Sequence, residues 1–399
     1  MREKPGQGQR PKVTIIMPCY NEEKYIRGAI ESLIDDWVLT HGEFIVADGQ
    51  SSDKTREIIM DLVHYWNKKH RERSELMLER LSEENRKKEN KREQNKDNKD
   101  KDQDTDRDNH RVSEGFLRLI DNPGRVQASG MNLGIKEARG EFIVRADAHC
   151  LYPPGYVRRC IELLERLEPI GVANVGGYIH PLGESLTQLA VCLALSHPLG
   201  AGDARWRLGK KSGFVDTVYL GTFRRRVLAE IGFYDPGAHP NEDAELNLRL
   251  IKSQKKIYLD SSIKVYYFVR DSFKRLAHQF YHYGRGRAYT TWKHRRLTSW
   301  RQLAPVLLLG GMMVTISGGF FWPWAWLFPG LYFFSLALSS FSCLKGANRD
   351  DLIPSKDLSW KEKFSLWPRI LFSFMTIHFC WATGFVLRMG KLLVAGKKE

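Results

Sequence analysis

The stretch VTIIMPCYN, residues 13–21, decides the fold, because it is a short apolar run that stops at a turn. A segment of helical periodicity follows it, and EFIVADG, residues 43–49, is a second apolar run that ends in an acidic residue and a glycine. Further on come FLRLIDNP, a helical pattern over residues 125–138 and the run EFIVRADAH, residues 141–149. This β-α-β-α-β order predicts an α/β domain with a mostly parallel sheet, whose ligand site lies beyond the carboxyl ends of the strands.

Polar residues follow three of these apolar runs, and parallel strands bring such residues to one crevice. Turns also favour Asp, so a solvated strand end is the other interpretation of any one of them. Three strand ends in register favour a binding site. The residues concerned are Pro18, Tyr20, Asn21 and Glu22 after the first strand, Asp48, Gly49, Ser51 and Asp53 after the second, and Asp147 and His149 after the third.

The pair Asp147 and His149 has the composition of a metal site. The sequence has no Gly-rich phosphate loop of the P-loop or dinucleotide type, so a ligand with phosphates would need a metal ion and basic side chains. Residues at positions i and i+2 of a frayed strand end can both reach one ion. A carboxylate with an imidazole suits Mn²⁺ or Mg²⁺, and phosphate oxygens would take the remaining positions.

A second acidic cluster, HPNEDAE over residues 239–245, opens an amphipathic helix. Acidic residues in the first turn of a helix commonly cap it and interact favourably with its dipole. The alternative is a general base that is held at a rigid helix start and faces the same crevice. The residues alone leave both interpretations open.

The C-terminal third predicts a membrane anchor. No Asp, Glu, Lys or Arg occurs in the 43 residues between Arg301 and Lys345, and one helix of that length would be about twice the ~30 Å thickness of a hydrocarbon core. The run must fold back at FWPWAWLFPG, so we expect transmembrane helices over residues 303–321 and 325–343. A third apolar stretch, residues 370–387, has a borderline length and is also compatible with a tilted or re-entrant helix. Buried helices of a soluble protein are the remaining alternative.

The formal net charge of +15 is distributed unevenly. Residues 264–301 hold ten basic residues and one acidic residue, residues 302–399 hold ten and five, and the rest of the chain is nearly neutral. The positive-inside rule then places the N-terminal region in the cytoplasm, with the basic segment 264–301 beside anionic lipid. This position argues against a nucleic-acid partner. The six cysteines form no C-x-x-C pair, which fits a reducing compartment, and no signal-peptide h-region opens the sequence, so cleavable secretion is not expected.

A charged insertion interrupts the domain. Residues 82–111 carry ten basic and ten acidic side chains and no apolar one, so they cannot bury a core. We expect a disordered loop or a solvated helix, within an insertion over about residues 67–112, because folded-looking sequence resumes on both sides. The balanced charge does not suit a nucleic-acid-binding arm.

Six motifs together resemble a known family: VTIIMPCYNEE, VADGQSSDKT, GRVQASGMNLGI, VRADAH, VYLGTFRRRVLAEIGFYDP and NEDAELNLRL. In this order they resemble a family 2 glycosyltransferase with a GT-A fold, in particular the bacterial membrane-anchored sugar transferases of succinoglycan-type exopolysaccharide assembly. The resemblance covers residues 12–290 apart from the insertion. It implies a polar tail over residues 1–11, a GT-A nucleotide-sugar-binding domain, the basic juxtamembrane segment and a membrane anchor of two or three helices over residues 302–399.

The resemblance also implies roles for individual residues. The catalytic base of the family corresponds to Asp243 in the Glu242-Asp243 pair, and the metal-binding D-x-D corresponds to Asp147 and His149, where His replaces the second Asp and retains a metal ligand. Gly221 lies in the segment that lines the acceptor pocket. The nucleotide sugar is expected to contact Pro18, Tyr20, Glu22, Asp48, Arg125, Asn132 and Asp147.

Polymerising synthases of this family carry a Q-x-x-R-W motif before the membrane, and this sequence lacks it, which argues for the addition of one sugar. In the comparable place, HQFYHYGRGRAY supplies His282, Arg285 and Arg287. These residues are expected to hold a diphosphate of the donor or of a lipid acceptor. A polybasic helix attracted to anionic lipid is the alternative, and the two are compatible.

The function implied is a metal-dependent inverting hexosyltransferase of the bacterial inner membrane, with its catalytic domain in the cytoplasm. It would move one sugar from a nucleotide sugar, for which UDP is the expected nucleotide, to a polyprenyl-diphosphate-linked saccharide. Other polysaccharide-assembly proteins are expected partners. A processive synthase and a non-catalytic scaffold with a degenerate sugar-nucleotide domain are the alternatives. The joint presence of Asp48, Asp147 and Asp243 argues against the scaffold, since a protein that only binds a sugar nucleotide needs no general base.

Overall fold

The computed structural model describes residues 10–93, 115–202, 204–209, 211–297, 300–345 and 358–395. Within these ranges nine strands form one mixed sheet. The strands are β1 (Val13–Cys19), β2 (Gly42–Asp48), β3 (Leu117–Asp121), β4 (Phe142–Arg145), β5 (Cys150–Leu151), β6 (Val172–Leu182), β7 (Gly213–Val215), β8 (Tyr219–Arg224) and β9 (Lys256–Phe268).

Fourteen α-helices accompany the sheet in the same ranges. They are α1 (Ile26–Leu33), α2 (Asp36–His41), α3 (Thr55–Glu93), α4 (Gln127–Glu137), α5 (Tyr156–Leu167), α6 (Leu186–Leu195), α7 (Pro198–Ala201), α8 (Arg205–Leu208), α9 (Arg225–Ile231), α10 (Glu242–Lys252), α11 (Phe273–His294), α12 (Ala304–Gly318), α13 (Leu327–Leu344) and α14 (Trp360–Ala395).

The sheet has the order β3-β2-β1-β4-β8-β6-β9-β5, and β7 pairs with β9. β1 pairs in parallel with β2 and β4, β2 with β3, and β6 with β9, whereas β8 runs antiparallel between β4 and β6. Every residue of β1 is buried, as expected for a strand of a sheet that is covered on both faces. The predicted α/β class with a mostly parallel sheet is confirmed.

The register of the strands brings their carboxyl ends level. Cys19 pairs with Asp48 and Asp48 pairs with Asp121, so β1, β2 and β3 end at one edge. Arg145, the last residue of β4, pairs with Ile16 of β1. The residues that follow β1 and β4 therefore emerge at the same edge of the sheet, where ligands of open α/β sheets bind.

The long helix α3 extends into the predicted insertion. Ile59, Leu62 and Trp66 pack into the core, and the amide of Asn67 exchanges hydrogen bonds of 3.0 and 2.8 Å with the backbone of Leu117 in β3. The helix then continues to Glu93, so residues 67–93 take the helical form of the two that we expected, a disordered loop or a solvated helix. Once the first turns of a helix are packed, good helix formers such as Lys, Glu and Arg extend it at a low cost in free energy. Residues 94–112 of the predicted insertion lie outside the described residues.

The predicted membrane segments are helices in the structure. Residues 303–321 contain α12, residues 325–343 coincide with α13, and residues 370–387 lie inside α14. Among the described residues, Pro323–Leu344 and Trp360–Ala395 are the helical segments long and apolar enough to span a membrane, whereas α12 has only 15 residues. Large apolar side chains lie on the surface of the α12–α13 hairpin, and Phe321 at its tip is 92% exposed. An exposed apolar surface of this kind marks a contact with lipid or with a partner.

Helix α14 differs from α12 and α13 because it packs closely along α11. A Cβ atom on Gly284 would lie 2.0 Å from the carbonyl oxygen of Trp381, and one on Gly384 would lie 2.0 Å from the carbonyl oxygen of Tyr281. The two backbones therefore touch where the helices meet. α14 also contacts α6, so it joins the α/β domain to the C-terminal hairpin.

Candidate active site

A cavity of about 1410 Å³ lies at the carboxyl edge of the sheet, between α10, α11 and the C-terminal helices. Its walls combine strand-end residues with residues of elements that come much later in the chain. The predicted site residues that line it are Pro18, Tyr20, Glu22, Arg125, Asp147, His149, Glu242, Asp243, His282 and Arg287. The topology thus brings together segments more than 250 residues apart in the sequence.

Four other predicted site residues do not belong to the cavity lining. Asp48 is fully buried and accepts hydrogen bonds from Ser51 Oγ at 2.6 Å and Arg56 Nη1 at 3.2 Å, so it holds the loop after β2. The amide of Asn132 bonds the backbone of Tyr234 at 2.8 and 2.9 Å. The polar groups of these two side chains form hydrogen bonds within the fold, so they stabilise the elements next to the cavity and do not face it.

Gly221 and Arg285 also lie away from the lining. Gly221 is in the middle of β8, where a Cβ atom would lie 2.4 Å from Asn174 Oδ1, so the glycine permits close packing inside the sheet. The guanidinium of Arg285 lies 5.9 Å from the centre of the Tyr281 ring, on α11. Residues 216–219, just before Gly221, do line the cavity, whereas the structure places Arg285 outside the lining, contrary to the expected diphosphate contact.

Asp147 and His149 follow β4 and are both nearly buried. The carboxylate of Asp147 accepts hydrogen bonds from Gln127 Nε2 at 3.1 Å and from the Tyr219 hydroxyl at 2.7 Å. Burial alone would raise the pKa of Asp147, but the charges of His149 and Arg145 hold it below its usual value. The carboxyl group is therefore ionised, as a metal ligand must be.

The imidazole of His149 is oriented by Glu22, whose Oε1 lies 3.0 Å from Nδ1. Burial works against the charged ring, yet the carboxylates of Asp147 and Glu22 raise the pKa of His149 above its usual value. A carboxylate that fixes one ring nitrogen and leaves the other available is the common support of a metal-binding histidine. The described residues contain no group of three or more His, Cys, Asp or Glu that could hold a metal. An ionised carboxylate beside an oriented imidazole is a donor set that fits an ion with two protein ligands and a shell completed by a bound phosphate.

The second acidic cluster begins helix α10 at the cavity wall. Glu242 is buried, and the side chain of Asp243 is 23% exposed. Arg145 forms ion pairs with both carboxylates, at 3.1 Å from Glu242 Oε1 and more closely with Asp243 Oδ1. Burial raises the pKa of Asp243 to about 6, against the opposing charge of Arg145. At neutral pH this carboxylate is therefore ionised, and its pKa is close to the value expected of an efficient general base.

Sequence reasoning missed several residues of the cavity wall. Arg145 gave a usable signal, because it is a charged residue in the otherwise apolar strand FIVR, two positions before Asp147. Arg270 lies two residues after the end of β9 and also lines the cavity. Gln127 and Tyr219 gave no such signal, because their contacts with Asp147 join elements that are distant in the sequence.

The opposite wall of the cavity is formed by the C-terminal helices. Pro305 and Leu308 come from α12, Tyr332 from α13, and Ile377 and Trp381 from α14. The polar edge of the sheet and a largely apolar surface therefore face the same space.

His378, within the third apolar segment, fixes this wall. Its Nε2 lies 2.8 Å from the carbonyl oxygen of Leu199, and its Nδ1 lies 3.0 Å from the Tyr332 hydroxyl. On the polar side, α11 contributes His282, whose pKa is lowered by burial and by the neighbouring His278 and Arg285. The cavity suits a ligand with an anionic part and an apolar part.

Asp147 and His149 at the end of a strand and the carboxylate of Asp243 at the start of α10 therefore line one cavity. Residues 14–76 and 97–232 match the model of glycosyl transferase family 2. The chain belongs to this family, and the predicted GT-A fold with C-terminal helices that could span a membrane is confirmed.

Two curated proteins show the extent of the similarity. The succinoglycan biosynthesis protein ExoA of Rhizobium meliloti (strain 1021) is 28% identical over 294 residues, which cover 73% of this chain and 74% of that protein. The dolichyl N-acetyl-alpha-D-glucosaminyl phosphate 3-beta-D-2,3-diacetamido-2,3-dideoxy-beta-D-glucuronosyltransferase of Methanococcus voltae is 28% identical over 276 residues, or 68% of this chain and 71% of that protein.

Among solved structures, the mannosyltransferase PcManGT from Pyrobaculum calidifontis, in complex with GDP-Man and Mn²⁺, superposes with a TM-score of 0.46. The match covers 93% of this chain and 88% of that one at 15% sequence identity.

Proposed function

We propose that the protein is an inverting glycosyltransferase that moves a single sugar from a nucleotide sugar to a polyprenyl-diphosphate-linked saccharide. The observation that carries this proposal is the cavity, which joins the carboxylates of Asp147 and Asp243 to an apolar wall from α12, α13 and α14. A nucleotide and a lipid-linked acceptor differ in polarity in the same way as the two walls. The relative from Methanococcus voltae is named for a dolichyl phosphate sugar, which supports a lipid-linked acceptor, and the relative from Rhizobium meliloti is a succinoglycan biosynthesis protein.

Asp243 is the proposed general base. It takes the proton of the acceptor hydroxyl while that oxygen bonds to the anomeric carbon of the donor, and the bond to the nucleoside diphosphate breaks with its electron pair on the leaving oxygen. This single displacement inverts the anomeric centre and needs no covalent intermediate. The pKa of about 6 supports the role, because the carboxylate is ionised at neutral pH and still basic.

Asp147 and His149 are the residues that would hold Mn²⁺ or Mg²⁺. When bound, the ion would neutralise the negative charge that develops on the leaving diphosphate. The basic side chains His282, Arg287 and Arg270, which line the same cavity, are proposed to share that charge or to hold the diphosphate of the acceptor. We place the nucleoside against Tyr20 and Arg125, which also line the cavity.

The proposed location is the inner membrane of a bacterium, with the catalytic domain in the cytoplasm. The basic segment 264–301 supports this orientation through the positive-inside rule. Anionic lipid and other polysaccharide-assembly proteins are the proposed neighbours. Digestion of the catalytic domain by protease added to inside-out vesicles, but not to right-side-out vesicles, is the expected result.

The direct test uses the full chain in lipid with labelled UDP-sugars and a polyprenyl-lipid extract, with and without EDTA. We expect a product one sugar longer than the acceptor, and its loss in EDTA. A ladder of products would identify a processive synthase, and donor binding without transfer would identify a non-catalytic scaffold. Transfer that survives chelation would remove the metal role of Asp147 and His149.

A further inference from the structure

Arg145 is a buried cation in a strand of the central sheet. It is the last residue of β4 and is 3% exposed. A guanidinium is removed from water only at a high cost unless it is paired and hydrogen-bonded. Its two terminal nitrogens meet three partners, because Nη1 contacts Asp243 Oδ1, and Nη2 lies 3.1 Å from both Glu242 Oε1 and Gln127 Oε1.

These contacts decide how the carboxylate of Asp243 is presented. Arg145 holds Oδ1, and no other hydrogen bond to this carboxylate is found in the part of the chain that the structure describes. Oδ2 is therefore the oxygen that remains for a hydroxyl proton. The side chain is partly open to the cavity, so without Arg145 it would be free to adopt other rotamers.

Gln127 extends the contact to the metal side of the cavity. Its Oε1 accepts from Arg145, and its Nε2 donates to Asp147 Oδ1 at 3.1 Å. Asp243, Arg145, Gln127 and Asp147 form a continuous hydrogen-bonded chain across β4, α4 and α10. Such a chain sets the separation between the group that accepts the proton and the group that faces the leaving diphosphate.

We propose that Arg145 is a positioning residue, which aims one oxygen of Asp243 at the acceptor hydroxyl and, through Gln127, fixes that oxygen relative to Asp147. This rests on the base role of Asp243 in the proposed function. The fork of the guanidinium suits the task, because it binds several oxygens in a fixed plane, which a lysine ammonium does not.

Electrostatics support the same assignment. Arg145 opposes the repulsion among Glu242, Asp243 and Asp147, and it lowers the pKa of Asp243 against the effect of burial. Removing Arg145 would raise that pKa, so the acid limb of the profile of kcat/KM against pH would move to higher pH. A residue that only stabilised the fold would not move this limb.

The test compares Arg145→Ala with Arg139→Ala in the full chain in lipid. Arg139 is a matched control, since it also pairs with a buried carboxylate, that of Glu43, but lies outside the cavity lining. For Arg145→Ala we expect kcat to fall about 100-fold, the loss typical of a misplaced reacting group, and donor affinity to stay within about threefold, a shift of less than 1 kcal/mol. Added guanidinium should restore at least about tenfold of kcat, because the vacated space opens into the cavity, and should do nothing for Arg139→Ala.

Arg145→Lys is the second variant and carries the test if Arg145→Ala does not fold. It keeps the charge and loses the fork, so we expect kcat about tenfold below wild type with unchanged donor affinity. Wild-type kcat in either variant overturns the proposal, as does a loss that guanidinium does not restore. Asp243→Asn separates this proposal from the earlier one. A fully active Asp243→Asn refutes the base role itself, whereas an inactive Asp243→Asn beside a fully active Arg145→Ala refutes positioning alone.

Discussion

Two buried clusters of arginine and carboxylate lie at opposite ends of the central sheet. At the amino end, Glu43 of β2 is 1% exposed, and its two oxygens accept from Thr14 Oγ1, the backbone nitrogen of Arg139 and the Arg139 side chain, all at 2.7 Å. Arg118 adds a contact at 3.2 Å. At the carboxyl end, Arg145 joins Glu242 and Asp243 beside Asp147.

The clusters use the same residue types but leave their carboxylates in different states. Glu43 has donors on both oxygens, and these hydrogen bonds keep its pKa below the usual value although burial alone would raise it. Asp243 has one oxygen held by Arg145, opens to the cavity and has a pKa of about 6. A fully satisfied carboxylate stabilises a fold, whereas a partly satisfied one beside a cavity is available for proton transfer.

The largest effect that separates the two clusters is expected for Asp243→Asn. The amide cannot take the proton of the acceptor hydroxyl, so transfer should fall by about 10²–10⁴-fold. Donor binding should stay near that of the wild type, because the amide has nearly the same size. Single-turnover transfer with labelled donor measures the first quantity, and protection against heating by the donor measures the second. A transfer rate within threefold of the wild type would contradict the proposed difference in role between Asp243 and Glu43.

The reverse change, Glu43→Gln, should act on stability and leave chemistry intact. It leaves Arg139 and Arg118 without a buried negative partner, which costs about 3–5 kcal/mol. The midpoint of thermal unfolding should fall by roughly 10 °C, and kcat at 25 °C should match the wild type. A large loss of kcat with an unchanged midpoint would mean that the amino-end cluster communicates with the site.

The contact between α11 and α14 gives a smaller effect that involves neither cluster. In Gly384→Ala the new Cβ atom would meet the carbonyl oxygen of Tyr281 at 2.0 Å, so the helices must separate at a cost of about 1–3 kcal/mol. Gly390→Ala is the matched control, because nothing lies within 4 Å of a Cβ atom there. Thermal unfolding in detergent should separate the two variants. Equal midpoints would argue against the close packing of α14 on α11.

The mildest test changes only the pH. Below about pH 6 the proton on Asp243 blocks its action, so kcat/KM should fall about fivefold between pH 6 and pH 5 and recover above pH 6. Glu43 behaves oppositely, since a depressed pKa adds stability that is complete above the unfolded value of about 4.3 and is lost only as pH falls below it. At pH 5 the enzyme should therefore be slow and still stable. If the rate and the melting midpoint declined together as the pH fell from 6, the proposed difference between Asp243 and Glu43 would be refuted.

Local patterns predicted much of the fold and a part of the polar wall of the cavity. The apolar runs of β1, β2 and β4 end in polar residues, and parallel pairing alone brings Tyr20, Glu22, Asp147 and His149 to one edge. The pairing of Arg145 with Glu242 was not readable, because it depends on how α10 packs nearly 100 residues further on. Asp48 differs, because its partners Ser51 and Arg56 are close in the sequence and turn back onto its carboxylate through the loop after β2.

The C-terminal wall of the cavity escaped prediction for a different reason. Apolar periodicity reports that a helix is buried or in lipid, and does not report which surface it faces. Leu308, Tyr332 and Trp381 therefore gave no sign that they line a catalytic cavity. The sequence left the form of residues 67–93 in α3 open, because charge composition distinguishes poorly between a solvated helix and a disordered loop.

The close contact of α11 with α14 bears on how the enzyme can be handled. A fragment cut after α11 would retain Asp147, His149 and Asp243, yet it would lose Pro305, Leu308, Tyr332, Ile377 and Trp381 from the cavity. It would also expose to water the surface of α11 around Phe280 and Gly284 that α14 covers. Removing the apolar helices to obtain a soluble catalytic domain would therefore yield an aggregation-prone protein with an incomplete cavity. Acceptor preference measured on such a fragment would describe a different enzyme.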